Sequence, residues 1–169
     1  LRPRPAAGAT TSILLPPPEK QGGLPLMDAL AIRHSSRDFA TDPLPLQLLS
    51  NLLWAAYGIN RNDGGRTAPS ALNAQEIDVF LALPDGAYRY DAIANELQFL
   101  ATSDLRRITW YQDFVDDAPL DLIYVADYTR MNLVPVGQRE SYASVAAGAI
   151  TQNVYLFAAS NGLATVIRA

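Results

Sequence analysis

From Ser141 to Ser160 the chain runs without a proline, apolar nearly all round and crowded with small residues at Ala143, Ala146, Ala147, Gly148 and Ala149. The run predicts the longest helix of the molecule. A helix with no polar face has to be buried, and small side chains let a second backbone come close. Whatever fold the chain adopts is therefore built around this segment. Ser144, Thr151, Gln152 and Asn153 interrupt it, so no apolar stretch approaches the ~20 residues that would cross a bilayer. Asn161-Gly162 closes the helix, and Leu163 to Ile167 reads as the start of a strand.

The elements before it supply the rest of the core. Leu1 to Gly23 holds Pro3, Pro5, Pro16, Pro17 and Pro18 with Gly22 and Gly23, which bars a continuous helix or central strand and predicts an extended arm. Ile13, Leu14 and Leu15 are its docking candidates. The folded domain is expected over 24–169. Leu26, Ala29, Leu30 and Ile32 recur at helical spacing, and after Pro43 and Pro45 a second amphipathic helix carries Leu46, Leu49, Leu52, Leu53, Ala56 and Tyr57 to a stop at Gly58. Ile77 to Leu83 predicts a strand covered on both faces, and Ala87 to Asp91 pairs with Glu96 to Leu100 as a hairpin. Ser103 is placed to cap a short helix with Leu105, Ile108 and Trp110, and Leu120 to Tyr128 is a further strand. Helices and strands in this order predict an α+β sandwich on a mostly antiparallel sheet.

Composition removes several chemistries. The 169 residues suit one domain, and a domain of that size buries roughly 70% of its unfolded surface without staples. With no cysteine, thiol catalysis and thiolate metal sites are excluded, so redox chemistry has to come from a bound cofactor. The 13 Lys and Arg are scattered among 17 Asp and Glu, without the concentrated basic face that nucleic acid requires. His34 is the single histidine, which leaves neither a hydrolase triad in a G-x-S-x-G setting nor a shared metal site. Asp116-Asp117 reads as a solvated turn, and Trp110, Tyr111 and Phe114 as possible covers for a pocket. The chain begins with Leu1, so a cytoplasmic location and export after signal-peptide removal both stay open.

Two motifs remain. Arg33-His34-Ser35-Ser36-Arg37 follows the first helix, and Ala68-Pro69-Ser70-Ala71-Leu72-Asn73-Ala74-Gln75 precedes the first long strand. Paired guanidinium forks with small hydroxyls between them suit a phosphate, and the second segment suits the edge of a flat ring. Together they point to a flavin nucleotide. Between them, Arg61 to Arg66 reads as a tight loop, in which Arg66 is either a further phosphate contact or a surface charge.

These residues carry a resemblance. Arg33 to Phe39 is similar to the R-x-S-x-R-x-F signature of the nitroreductase family, and Ala68 to Gln75 resembles its A-P-S-A-x-N-x-Q segment. Gly148 to Ala159 followed by Gly162-Leu163 resembles the family's central helix and exit. The resemblance implies a nitroreductase-like α/β/α sandwich, an intertwined homodimer and FMN at its interface. It also implies that Arg33, His34, Ser35 and Arg37 lie by the phosphate and ribityl chain, Pro69, Ser70 and Ala71 along the ring, Asn73 at its reactive edge and Gln75 as a further contact. Ile167, Arg168 and Ala169 fall where the family brings backbone near the other flavin face. No catalytic side chain and no metal are implied. Electrons would pass from NAD(P)H through the flavin to a nitroaromatic, quinone or similar acceptor. Family members usually continue to a C-terminal basic residue that completes the phosphate clamp; the sequence stops at Ala169, so either it is shortened or the protein lacks that element. Azoline-oxidising relatives and a non-catalytic dimeric scaffold are the alternatives.

Overall fold

The structure, a computed structural model, describes residues 11–109 and 117–168. Trp110, Tyr111, Phe114, Asp116 and Ala169, together with Leu1 to Thr10, lie outside them. Five strands form one antiparallel sheet in the order β1-β4-β3-β2-β5: β1 (Ile13–Leu14), β2 (Ile77–Leu83), β3 (Gly86–Asp91), β4 (Glu96–Ala101) and β5 (Asp121–Ala126). Four helices accompany it: α1 (Leu26–Ile32), α2 (Leu46–Tyr57), α3 (Arg106–Thr109) and α4 (Arg139–Asn161).

Register decides which side chains make the core. Val79 stands opposite Tyr124 and Leu81 opposite both Leu122 and Tyr88. Tyr90 then faces Leu97, and Leu97 faces Ile13. These residues share one sheet face and pack with Leu49, Leu52 and Leu53 of α2 and Ala146, Ile150 and Val154 of α4. The reverse face holds Asp78, ion-paired to Arg89 at 2.9 Å, and Val125, which is 45% exposed. Hence β2 is only partly covered on its second face: Ala82 there is buried, whereas Asp78 and Phe80 are half-buried.

Helix α4 differs from expectation in the same way. Ala143, Ala146, Ile150, Val154, Tyr155 and Ala158 are buried, whereas Val145 is 70% exposed and Gly148 is open. One stripe of the apolar helix is covered within the chain, and the opposite stripe is not. The helix ends at Gly162, whose φ of 66° is the left-handed C-terminal conformation that glycine adopts without a Cβ penalty. Beyond it, Leu163 to Ile167 joins no strand; it runs extended beside the first motif, with Ser36 donating its N–H to the Thr165 carbonyl at 2.9 Å. The short helix α3 starts at Arg106, and Asp104, not Ser103, accepts the Arg106 N–H.

The leader lies on the body. Leu15 is 3% exposed, its N–H donates to the Asn95 carbonyl, and the Asn95 amide returns two bonds to the carbonyls of Leu15 and Pro16. Ser50, fully buried on α2, donates to the Pro16 carbonyl as well. Proline's missing amide leaves its carbonyl as the only backbone group to satisfy, and these side chains satisfy it. We propose that the arm is part of the cooperative unit. Leu15→Ala should then cost about 2–4 kcal/mol, read as a lower urea midpoint at unchanged slope; an unaltered midpoint would place the arm outside that unit.

Candidate functional site

The first motif is delivered by the end of α1. Arg33 closes the helix, its N–H donating to the Ala29 carbonyl, and the following residues belong to no helix or strand. The Arg33 guanidinium carbon stands 5.1 Å from the centroid of the Tyr155 ring, close enough for a cation–π contact. Among the described residues that guanidinium makes no hydrogen bond or ion pair, so its whole fork of N–H donors is available. Ser35 lies 2.9 Å from the Tyr155 hydroxyl, which also accepts the Ile167 N–H at 2.9 Å. His34 is exposed, with Nδ1 placed to donate to the Ile32 carbonyl. Arg37 is also exposed.

Tyr155 thus organises this half of the site: its ring lies under one cation, and its hydroxyl ties the motif to the segment after α4. Sequence reasoning did not single it out as a site residue. The available signal was a hydroxyl-bearing aromatic in a stretch otherwise filled by alanine and aliphatic residues.

The second motif forms a strained platform. Leu72, Asn73 and Gln75 have φ of 52°, 54° and 49°, the left-handed region that costs a bulky L residue roughly 1–2 kcal/mol. Their conformation is held from several directions. Ser70 Oγ accepts the Gln75 N–H at 2.9 Å, and Gln75 Nε2 donates to Asn73 Oδ1 and to the Gly64 carbonyl, each at 3.1 Å. Arg66 Nε donates to Gln75 Oε1, and Arg130 Nη1 to the Gln75 carbonyl, each at 2.9 Å. The side chain of Gln75 is therefore spent inside the loop. Arg66 is also engaged: its guanidinium sits 4.9 Å from the Tyr57 ring centroid and donates to the Tyr57 carbonyl. Pro69, Leu72 and Asn73 remain exposed, and Leu72, Asn73 and Ala74 border a half-open cavity of about 350 Å³ with Arg130, Met131 and Asn132.

Burial pushes the Tyr57 hydroxyl up from its ordinary value, partly offset by the nearby Arg66 charge, and burial carries Tyr124 up to about 12. Both stay phenols across the physiological range and neither is a base. A second cavity, of about 820 Å³, lies between β5, α4 and the segment after α4, beside Asp38 and Phe39. Arg168 and Asp121, both largely buried, bridge its wall at 3.1 Å. Among the described residues no cluster of three or more metal-ligating side chains occurs, and no helix is long and apolar enough to cross a membrane.

The two motifs approach α4 from different sides. Tyr155 receives the Arg33 segment, while Asn153 donates to the Thr67 carbonyl at 3.3 Å, just ahead of the Pro69 segment. Two residues along an α-helix turn ~200° about its axis, so the partners lie on nearly opposite sides.

Comparison with known proteins identifies the family. The family model described as the Nitroreductase family matches residues 30–169. A crystal structure from Ralstonia eutropha JMP134, provisionally named a nitroreductase, is 50% identical and superposes with a TM-score of 0.89, covering 99% of this chain and 81% of that one. A Methanocaldococcus jannaschii protein, also provisionally named a nitroreductase, is 34% identical over 169 residues, 94% of this chain and 84% of its own length. A Desulfovibrio desulfuricans protein solved in complex with FMN shares the fold, at 21% identity and a TM-score of 0.55 over 81% of this chain and 63% of that one. With a family model over most of its length, a 34% identical relative and a 50% identical structure of the same fold, the chain belongs to the nitroreductase family.

Proposed function

We propose that the protein is an FMN-dependent oxidoreductase that moves electrons from NAD(P)H to a nitroaromatic, quinone or similarly flat acceptor. The observation that supports this best is the pair of preorganised half-sites: an unpartnered guanidinium beside a hydroxyl, and a strained loop presenting an amide. The FMN complex of the Desulfovibrio protein of the same fold is in keeping with it. In this reading Arg33 and Ser35, with His34 and Arg37 adjoining, hold the phosphate and ribityl chain. Pro69, Ser70 and Ala71 lie along the ring, and the Asn73 amide addresses its edge. Gln75, its own amide spent, acts by fixing Asn73. Bound FMN supplies two-electron chemistry, and the chain contributes orientation and electrostatics, with no nucleophile or acid–base side chain.

A second copy of the chain completes the site. The half-sites sit on opposite sides of α4, and the uncovered stripe of α4 with the exposed Leu26, Met27 and Ile32 of α1 offers an apolar surface for a homodimer. One protomer would contribute the Arg33 segment and its partner the Asn73 segment.

Purified protein should take up FMN and show an oxidised-flavin spectrum that bleaches on adding NADH or NADPH; a protein that binds no FMN fits the scaffold alternative instead. Arg33→Ala should weaken FMN binding tenfold or more, because a charge-assisted hydrogen bond contributes about 1.5–3 kcal/mol, while leaving the thermal midpoint nearly unchanged. Shared sites make a sharper expectation. Arg33→Ala and Asn73→Ala homodimers should both be impaired, whereas a mixed dimer regains one intact site and therefore about half of the wild-type flavin binding, measured by fluorescence titration. No recovery on mixing would place both segments in one protomer's site.

A further inference from the structure

Glu76 stands directly after the ring-facing segment and is the one carboxylate among the described residues with no exposed surface at all. Neither of its oxygens has a hydrogen-bond partner among those residues. Only its backbone is tied, the Asp127 N–H donating to the Glu76 carbonyl at 2.8 Å. A buried carboxylate with no direct partner is costly, and it is retained here beside the segment that carries three left-handed residues.

Its charge is set among others. Glu76, Arg66 and Arg130 all act electrostatically on the Tyr57 hydroxyl, so the three lie around one point. Arg130 reaches Asp78 at 2.6 Å and Asp127 at 3.2 Å, and Asp78 also pairs with Arg89. The group tied to the Leu72–Gln75 loop thus holds three guanidinium groups, Arg66, Arg89 and Arg130, against three carboxylates, Glu76, Asp78 and Asp127. It is neutral only while Glu76 is counted. Arg66 and Arg130 both grip Gln75, the residue next to Glu76 in the chain, one by its side chain and the other by its carbonyl.

We propose that Glu76 is a positioning residue whose buried negative charge, acting with Arg66 and Arg130, sets the reduction potential of a flavin held against Leu72 and Asn73. The inference rests on the FMN reading above. Reduction adds negative charge to the ring, so a platform with Glu76 removed would carry a net positive charge and would favour the reduced form. Glu76 also differs from the surface acids in that little water screens it, which makes its contribution larger than that of the more exposed Asp127 after β5.

The test is the midpoint potential of bound FMN, measured by spectroelectrochemistry at low ionic strength in the wild-type protein and in Glu76→Gln, Glu76→Asp and Asp127→Asn. Glu76→Gln, close to isosteric, should shift the potential to less negative values. Asp127→Asn should shift it less in the same direction, and Glu76→Asp should return it towards wild type. A Glu76→Gln protein that binds FMN at the wild-type potential, or at a more negative one, overturns the proposal. If Glu76→Gln does not fold, Arg130→Gln, which removes one of the positive charges set against Glu76, should move the potential to more negative values, and an unmoved potential there overturns it. Wild-type protein that fails to bind FMN removes the functional reading and this inference together, whereas binding with an unmoved potential removes the inference alone.

Discussion

The packing of α4 against α2 and the sheet is the constraint on which the rest of this molecule depends. Ile150 and Val154 enter the core on one side of the helix, and from that fixed axis Tyr155 and Asn153 project in opposing directions to receive the two motifs. Rotating α4 by one residue, ~100°, would withdraw both contacts at once. In the homodimer proposed above, small residues such as Gly148 on its open stripe would let a second backbone come close.

The two halves of the candidate site are held by different physics. At Arg33 the structure leaves a cation underused, resting on an aromatic face and ready to exchange a weak contact for a charged hydrogen bond. At Leu72 to Gln75 it over-determines an unfavourable backbone, with five hydrogen bonds converging on Gln75. The first arrangement favours ligand capture; the second fixes geometry before any ligand arrives, so less ordering has to occur on binding.

Much of this was legible in the sequence because it was local. The amphipathic period of α2, the hairpin around Ala92 to Asn95 and the central helix all follow from patterns within one element. The two motifs follow from residue types at short spacing. What escaped was non-local or contrary to propensity. Leu163 to Ile167 has strand-like residues but no free ladder to join, because its partners are the Ser36 amide and a tyrosine hydroxyl. A left-handed leucine is not written in any dipeptide; it follows from the grip of Arg66 and Arg130, and Arg130 lies 55 residues from Gln75. The second face of β2 is only partly covered, which its apolar run does not foretell, because Arg89 and Arg130 make Asp78 an ion-pair centre.

The bond between Ser35 and Tyr155 spans 120 residues, and the Ile167 N–H closes on the same hydroxyl. During synthesis, therefore, the Arg33 segment emerges early but cannot be locked until the chain has been made past α4. Closing so long a loop is entropically costly and slow compared with forming the β3–β4 hairpin. The Arg33 segment thus gains its tyrosine partner only after α4 has been made, and its placement depends on how the end of α4 is anchored.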